Sequence, residues 1–175
     1  WYKRQIRPGL AQTSIVSLST NGIGFLEDGE DAEMQFIDEL FGQNPLYTQI
    51  AALGSFNILA SNSGLNYLIN NNDPRVDAFY RRATSGDSAG LHYGINQGQG
   101  KEPNFGGSDV VSGWFSKPSF VIAGPESPVV FMSAAESYFL QAEAVARGWL
   151  AGDAKALYES GITSSFTRWE FDPTD

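Results

Sequence analysis

The hydrophobic positions of the chain are most regular between Pro128 and Trp169, where they predict two consecutive helices. The first half of this segment contains strong helix formers and has no proline or glycine between Pro128 and Gly148. Gly148 and Gly152 then predict a turn, and Asp153 is suited to cap a second helix. The apolar residues of the first helix recur at helical spacing, and they are Phe131, Ala135, Phe139, Ala142, Ala146 and Trp149.

The following residues share one face of the second helix: Ala154, Leu157, Tyr158, Gly161, Ile162, Ser165 and Phe166. Small residues on facing helices predict a closely packed antiparallel hairpin over residues 131–168. Its register is similar to a single tetratricopeptide unit, at Tyr138, Ala142, Val145, Ala154 and Tyr158. Gln141 departs from the leucine of that pattern. The sequence therefore predicts a mainly α fold built on one tetratricopeptide-like helical hairpin.

The first third of the chain has weaker patterns. Thr13–Leu18 is typical of a short strand, and Asn21–Gly22 predicts a turn. The apolar spacing predicts a helix over Asp31–Phe41 and another over Leu46–Leu53. Ser63 is a plausible cap for a further helix.

Residues 84–128 are rich in glycine and predict long irregular loops, which in compact proteins are often functional. Aromatic rings and amides are concentrated there. A sugar ring offers an apolar face for stacking and hydroxyls for hydrogen bonds, so this composition favours sugar binding. Aromatic residues in loops can equally anchor those loops to the core. The candidate ligand-binding residues are His92, Tyr93, Asn96, Trp114 and Phe115, with Gln97, Gln99, Asn104, Phe105 and Asp109 in the same segment.

Two blocks of sequence resemble the SusD-like family of nutrient-binding outer-membrane lipoproteins. The first is the run from Ala135 to Ala144, followed by Arg-Gly-Trp, Gly-Asp-Ala and the stretch Tyr158–Phe166. The second is Ile69–Tyr80, which contains Asp-Pro-Arg, followed by a glycine-rich loop with Tyr93-Gly94-Ile95. The blocks come in the family's order and cover roughly residues 58–169.

The resemblance implies a SusD-like fold and non-catalytic binding of an oligosaccharide at the cell surface. It also implies delivery of that nutrient to a TonB-dependent, SusC-like transporter in the outer membrane. Membrane attachment would come only through an N-terminal lipid anchor, which this chain does not contain. Residues 1–175 are therefore expected to be a single internal portion of a SusD-like protein, without the family's N-terminal and C-terminal segments.

Charge and composition exclude several function classes. The net charge is −9, with 20 acidic against 11 basic residues, which disfavours binding to nucleic acid. The absence of cysteine excludes thiolate catalysis and cysteine-based zinc sites, and no cofactor or metal is expected. No apolar run approaches the ~18 residues of a membrane-spanning helix.

Two other functions remain open on the residues alone. A glycan-active hydrolase needs two carboxylates, and Glu136 with Glu143, or Asp73 with Asp77, supplies a pair. The single histidine, His92, has no Gly-x-Ser-x-Gly motif to accompany it. A tetratricopeptide-type module for protein interaction is the other alternative. For Asp73-Pro74-Arg75 the sequence favours a structural role, with Asp73 capping the next turn and Arg75 binding a carboxylate or carbonyls.

Overall fold

The computed structural model describes residues 5–53, 58–96 and 113–169. The prediction of a mainly α fold is confirmed: within these ranges there are seven α-helices and four short strands. The helices are α1 (Pro8–Thr20), α2 (Pro45–Leu53), α3 (Asn62–Asn70), α4 (Val76–Phe79), α5 (Phe120–Ala123), α6 (Ala134–Ala146) and α7 (Ala154–Thr167). The strands are β1 (Ala32–Met34), β2 (Tyr80–Arg81), β3 (Lys117–Pro118) and β4 (Val129–Met132). The chain divides into two compact units, residues 1–34 with 130–175, and residues 35–129.

The first unit contains the predicted hairpin, formed by α6 and α7. Ser133 caps α6 by accepting a hydrogen bond from the backbone of Glu136, and Asp153 caps α7 through the backbone of Lys155 and Ala156. Gly148 has a positive φ of 71°, which suits the turn between the helices. Both predictions, the turn at Gly148 and the cap at Asp153, are confirmed.

Small residues let the two helices of the hairpin approach closely. A Cβ atom on Gly161 would lie 2.7 Å from the ring of Phe139, and Ala142 is 7% exposed. The Phe139 ring also packs on Tyr158, with 5.4 Å between centroids. The side chain of Glu143 pairs with Arg147 at 2.8 Å. The carboxylate of Glu143 is therefore engaged in an ion pair with a residue four positions later on the same helix.

The prediction that Phe131 belongs to the first helix is wrong, because β4 occupies Val129–Met132 and α6 begins only at Ala134. β4 pairs with β1 in a two-stranded sheet. Ser133 ends the strand and caps the helix with its side chain. The local spacing of apolar residues does not indicate that a segment pairs with a strand far away in the sequence.

The predicted helix over Asp31–Phe41 is also wrong, because long-range contacts hold its first residues in another conformation. The side chain of Asp31 accepts a hydrogen bond from the backbone of Ala134 at 2.6 Å and pairs with Arg168. Glu33 pairs with the same guanidinium at 3.0 Å. These ion pairs bring the acidic segment and β1 against the hairpin, where β4 supplies the strand partner.

The predicted strand at Thr13–Leu18 is wrong as well, since α1 covers these residues. Pro8 lies in the first turn of the helix, where its fixed φ suits the helical backbone. The hydroxyl of Thr13 donates to the carbonyl of Gly9 at 2.9 Å, four residues earlier. β-Branched and hydroxyl residues are thus accommodated within the helix. The turn predicted at Asn21–Gly22 is confirmed.

The second unit contains α2 to α5 and the two-stranded sheet of β2 and β3. The helix predicted over Leu46–Leu53 is confirmed as α2, and Pro45 begins it. The helix predicted after Ser63 is confirmed as α3, but its cap is Ser61, whose hydroxyl accepts from the backbone of Ser63 at 3.3 Å. α3 buries Leu65 completely against the rest of this unit.

The Asp73-Pro74-Arg75 segment has the predicted structural role. One oxygen of Asp73 accepts from the backbone of Arg75 at 3.0 Å, and the guanidinium of Arg75 pairs with the same carboxylate at 2.6 Å. The hydrogen bond from the Arg75 side chain is the main reason that the pKa of Asp73 lies below its usual value. This closed pair fixes the turn between α3 and α4.

Candidate functional site

A cavity of about 400 Å³ lies within the second unit and contains two of the residues singled out in the sequence. Such a volume falls in the range of small-molecule sites, ~300–1,000 Å³. We call it the Trp114 cavity. Its lining residues are Gly86, Asp87, Ser88, Leu91, Tyr93 and Trp114.

Trp114 is held in place by the short 3₁₀ turn Gly86–Ser88. The hydroxyl of Ser88 donates to the backbone carbonyl of Trp114 at 2.5 Å. Gly86 has a φ of +70°, and a Cβ atom on it would lie 2.7 Å from the indole of Trp114. Only glycine fits both conditions, so Gly86 allows the indole to lie directly on the backbone of this turn.

A second clamp joins the segments that precede and contain the tryptophan. The carbonyl of Gly113 accepts hydrogen bonds from the backbone of both Thr84 and Ser85, at 2.8 and 3.1 Å. A Cβ atom on Gly113 would lie 2.4 Å from the hydroxyl of Ser85. This close contact places residue 114 next to the 3₁₀ turn.

Tyr93 is positioned by Ser116, which is fully buried. The backbone of Ser116 donates to the carbonyl of Tyr93 at 2.6 Å, and its hydroxyl accepts from the backbone of Tyr93 at 3.0 Å. The ring of Tyr93 is stacked on Phe115, with 5.6 Å between the centroids and 23° between the planes. Tyr93 lines the cavity, and half of the residue is exposed.

His92 lies outside the lining of the Trp114 cavity. Its side chain is 6% exposed, and Nε2 lies 2.8 Å from a carboxylate oxygen of Asp77. Arg82 pairs with the same carboxylate at 3.0 Å. Burial raises the pKa of Asp77, but the hydrogen bond with His92 and the charge of Arg82 outweigh it and keep that pKa below its usual value. Within the described part of the chain, Nδ1 of His92 is buried without a hydrogen-bond partner.

The other two candidates also lie outside the lining of the cavity. Asn96 accepts a hydrogen bond from the side chain of Asn62 at 2.8 Å. Phe115 supports Tyr93 from behind and lines a different cavity. The structure thus brings Tyr93 and Trp114 together, with Phe115 as their support, and places His92 and Asn96 elsewhere. The remaining candidates, Gln97, Gln99, Asn104, Phe105 and Asp109, lie outside the described residues.

Besides Gly86, sequence reasoning missed three lining residues that carry side chains, Asp87, Ser88 and Leu91. All three fall between Gly86 and Gly90 or directly after them, and both glycines have a positive φ. The sequence signal that could have revealed them is the pair Gly86 and Gly90, which flanks Asp87 and Ser88. The cavity therefore offers two partly exposed rings, the aliphatic side chain of Leu91, the carboxylate of Asp87 and the hydroxyl of Ser88.

Residues 5–53, 58–96 and 113–169 contain no cluster of three side chains suited to hold a metal ion. None of the helices found there has the length and apolar character to cross a bilayer.

Comparison with known families gives a match over residues 4–175. The matching family is SusD-like and is described as starch-binding and associating with the outer membrane. None of the curated protein sequences matches the chain.

Solved structures with the same fold include a chitin-binding SusD homolog from Flavobacterium johnsoniae, with 26% identity and a TM-score of 0.73. The match covers 96% of this chain and 32% of that one. A SusD homolog from Bacteroides vulgatus has 25% identity and a TM-score of 0.71, over 92% of this chain and 31% of that one. A chitin-binding protein has 24% identity and a TM-score of 0.71, over 95% and 36%. The chain thus spans about a third of the length of each of these structures.

Proposed function

Because the chain belongs to the SusD-like family, we propose that the full-length protein is a non-catalytic glycan-binding protein of the cell surface. Its ligand would be an oligosaccharide, which it would deliver to a TonB-dependent, SusC-like transporter. The family's description as starch-binding and associating with the outer membrane supports this function and this location. Attachment to the membrane would come through an N-terminal lipid anchor on the full-length protein.

The Trp114 cavity is the observation that carries the proposal for this chain. Trp114 is 38% exposed and Tyr93 50% exposed, although the backbone of each is held by hydrogen bonds. Large rings that are fixed by their backbone and still partly exposed are suited to stack on the apolar face of a sugar. Asp87 and Ser88 would then bind hydroxyl groups at the rim of the ring. A neutral oligosaccharide fits this arrangement best.

The side chains at the cavity also support binding without catalysis. A glycosidase generally uses two carboxylates, one on each side of the bond that is cleaved. Among the lining residues that the structure describes, Asp87 is the single carboxylate. Three of the four carboxylates considered in the sequence are engaged in ion pairs elsewhere: Asp73 with Arg75, Asp77 with Arg82 and His92, and Glu143 with Arg147.

A panel of oligosaccharides tests this function on the full-length protein. We expect at least one neutral oligosaccharide, such as a starch or chitin fragment, to retard the protein in affinity electrophoresis. Incubation with the same glycans should release no reducing ends. Release of reducing ends would show a hydrolase. Failure to bind any glycan would contradict the proposal and leave protein interaction through the α6–α7 hairpin as the remaining function.

A further inference from the structure

A second cavity in the same unit has a volume of about 380 Å³. It lies where β2 and β3 pair, at the register partners Arg81 and Lys117. Among the residues that the structure describes, its lining shares none with the Trp114 cavity. A cavity of this size can hold a small molecule or one unit of a longer ligand. We call it the Phe120 cavity, and its lining includes Tyr47, Arg81, Thr84, Phe115 and Phe120.

Aromatic rings form part of the wall of the Phe120 cavity, and they belong to Tyr47, Phe115 and Phe120. Phe120 begins the one-turn helix α5 and is 59% exposed. The ring is nevertheless held in place, because the guanidinium carbon of Arg81 lies 4.3 Å from its centroid. An exposed ring that is held from one side offers its remaining surface to the apolar face of a sugar.

Polar groups in the same wall can bind the hydroxyls of that sugar. Nε of Arg81 donates to the carbonyl of Pro118 at 3.0 Å, which orients the guanidinium and leaves its terminal nitrogens as donors. The hydroxyl of Thr84 donates to the carbonyl of Gly113 at 3.5 Å, so the Thr84 oxygen can still accept a hydrogen bond. The Phe120 cavity therefore combines an exposed ring with a donor and an acceptor, as a site for a sugar unit requires.

The two cavities are neighbours in the fold. Trp114 lines one of them, and the next residue, Phe115, lines the other. The ring of Phe115 stacks on Tyr93 of the Trp114 cavity, with 5.6 Å between the centroids. Thr84 and Gly86, two positions apart, likewise line different cavities. A chain of several sugar units bound at one cavity therefore lies within reach of the other.

From this arrangement we propose that the Phe120 cavity is a second subsite, which binds a further unit of the same oligosaccharide. One unit lies on the rings of Trp114 and Tyr93. Another contacts Phe120 and forms hydrogen bonds with Arg81 and Thr84. The protein therefore prefers oligosaccharides that are long enough to occupy both cavities. That the ligand is a glycan rests on the proposed function, whereas the second subsite rests on the Phe120 cavity.

Calorimetry on the full-length protein with the trisaccharides and hexasaccharides of starch and of chitin tests the inference. In the series that the protein binds, the hexasaccharide should bind at least about tenfold more tightly than the trisaccharide, because a linked unit makes a second set of contacts. Competition against the bound hexasaccharide measures the affinity of the trisaccharide where its own binding releases little heat.

Substitutions then locate the second subsite. Phe120→Ala should weaken binding of the hexasaccharide about fivefold through the loss of one stacking contact, and leave the trisaccharide unchanged. Phe120→Leu keeps an apolar side chain without the flat ring, and it is the deciding variant if Phe120→Ala does not fold. Trp114→Ala should weaken binding of both lengths. Tyr67→Ala is the matched control, since it removes a ring that is 71% exposed on α3 and lines neither cavity, and it should change nothing.

Three outcomes would overturn the second subsite and leave the proposed function intact, because the glycan would still bind. They are equal affinity for both lengths in the parent, unchanged binding of the hexasaccharide in the Phe120 variant, and an equal loss for both lengths in that variant. Failure of the parent to bind either hexasaccharide would also overturn the inference. If the wider panel of oligosaccharides gave no binding as well, the proposed function would be contradicted too.

Discussion

Replacing Ala142 by tryptophan should lower the free energy of unfolding by about 1–3 kcal/mol, the range expected for overpacking a core position. Ala142 is 7% exposed on α6, and the neighbouring helix α7 brings Gly161 to within contact of the Phe139 ring. An indole at position 142 has no room unless the two helices separate. Urea unfolding of the parent and the variant measures the difference.

Ala146→Trp is the matched control, because Ala146 lies on the same helix and is exposed. The control should unfold within about 0.5 kcal/mol of the parent, as is usual for surface substitutions. If Ala142→Trp unfolds at the same urea concentration as the parent and the control, the close packing of α6 on α7 is wrong.

Replacing Gly86 by alanine should weaken oligosaccharide binding several-fold and also lower stability by about 1 kcal/mol. The stability loss comes from forcing an alanine into a backbone conformation with φ of +70°. The binding loss comes from the new methyl group, which would lie 2.7 Å from the Trp114 indole and displace it. Calorimetry and thermal unfolding of the full-length protein report the two effects separately.

Gly90→Ala distinguishes strain from displacement of the indole. Gly90 has a similar φ of +80°, but a Cβ atom there would meet nothing within 4 Å. This control should lose about as much stability as Gly86→Ala and retain the affinity of the parent. Equal losses of affinity in both variants would mean that the position of Trp114 on Gly86 does not matter for binding.

The hairpin was predictable because its determinants are local. The cap at Asp153, the glycines of the turn and the periodic small residues all lie within one stretch of sequence and agree with each other. Where the predictions were wrong, contacts between residues far apart in the sequence determine the secondary structure. Asp31 binds the start of α6 and Arg168, more than 100 positions away, and no helical pattern in residues 31–41 can reveal that.

The candidate site was predictable in part for the same reason. Aromatic residues in a glycine-rich segment pointed to Tyr93 and Trp114, which do share a cavity. His92 was grouped with them by its position in the sequence, but its buried contact with Asp77 depends on the fold. The pairing of Arg81 with Lys117 likewise depends on the register of two short strands that are far apart in the chain.

Calorimetric titration of the full-length protein and its Trp114→Ala variant, with a neutral oligosaccharide identified in the panel, tests the central claim most directly. Loss of stacking on the indole should weaken binding about fivefold, equivalent to ~1 kcal/mol, while the unfolding temperature stays close to that of the parent. Trp149→Ala, which removes a partly buried indole near the end of α6, should leave the affinity unchanged. Unchanged affinity in Trp114→Ala would remove this ring from the glycan site, and a large loss of stability would show that it anchors the core instead.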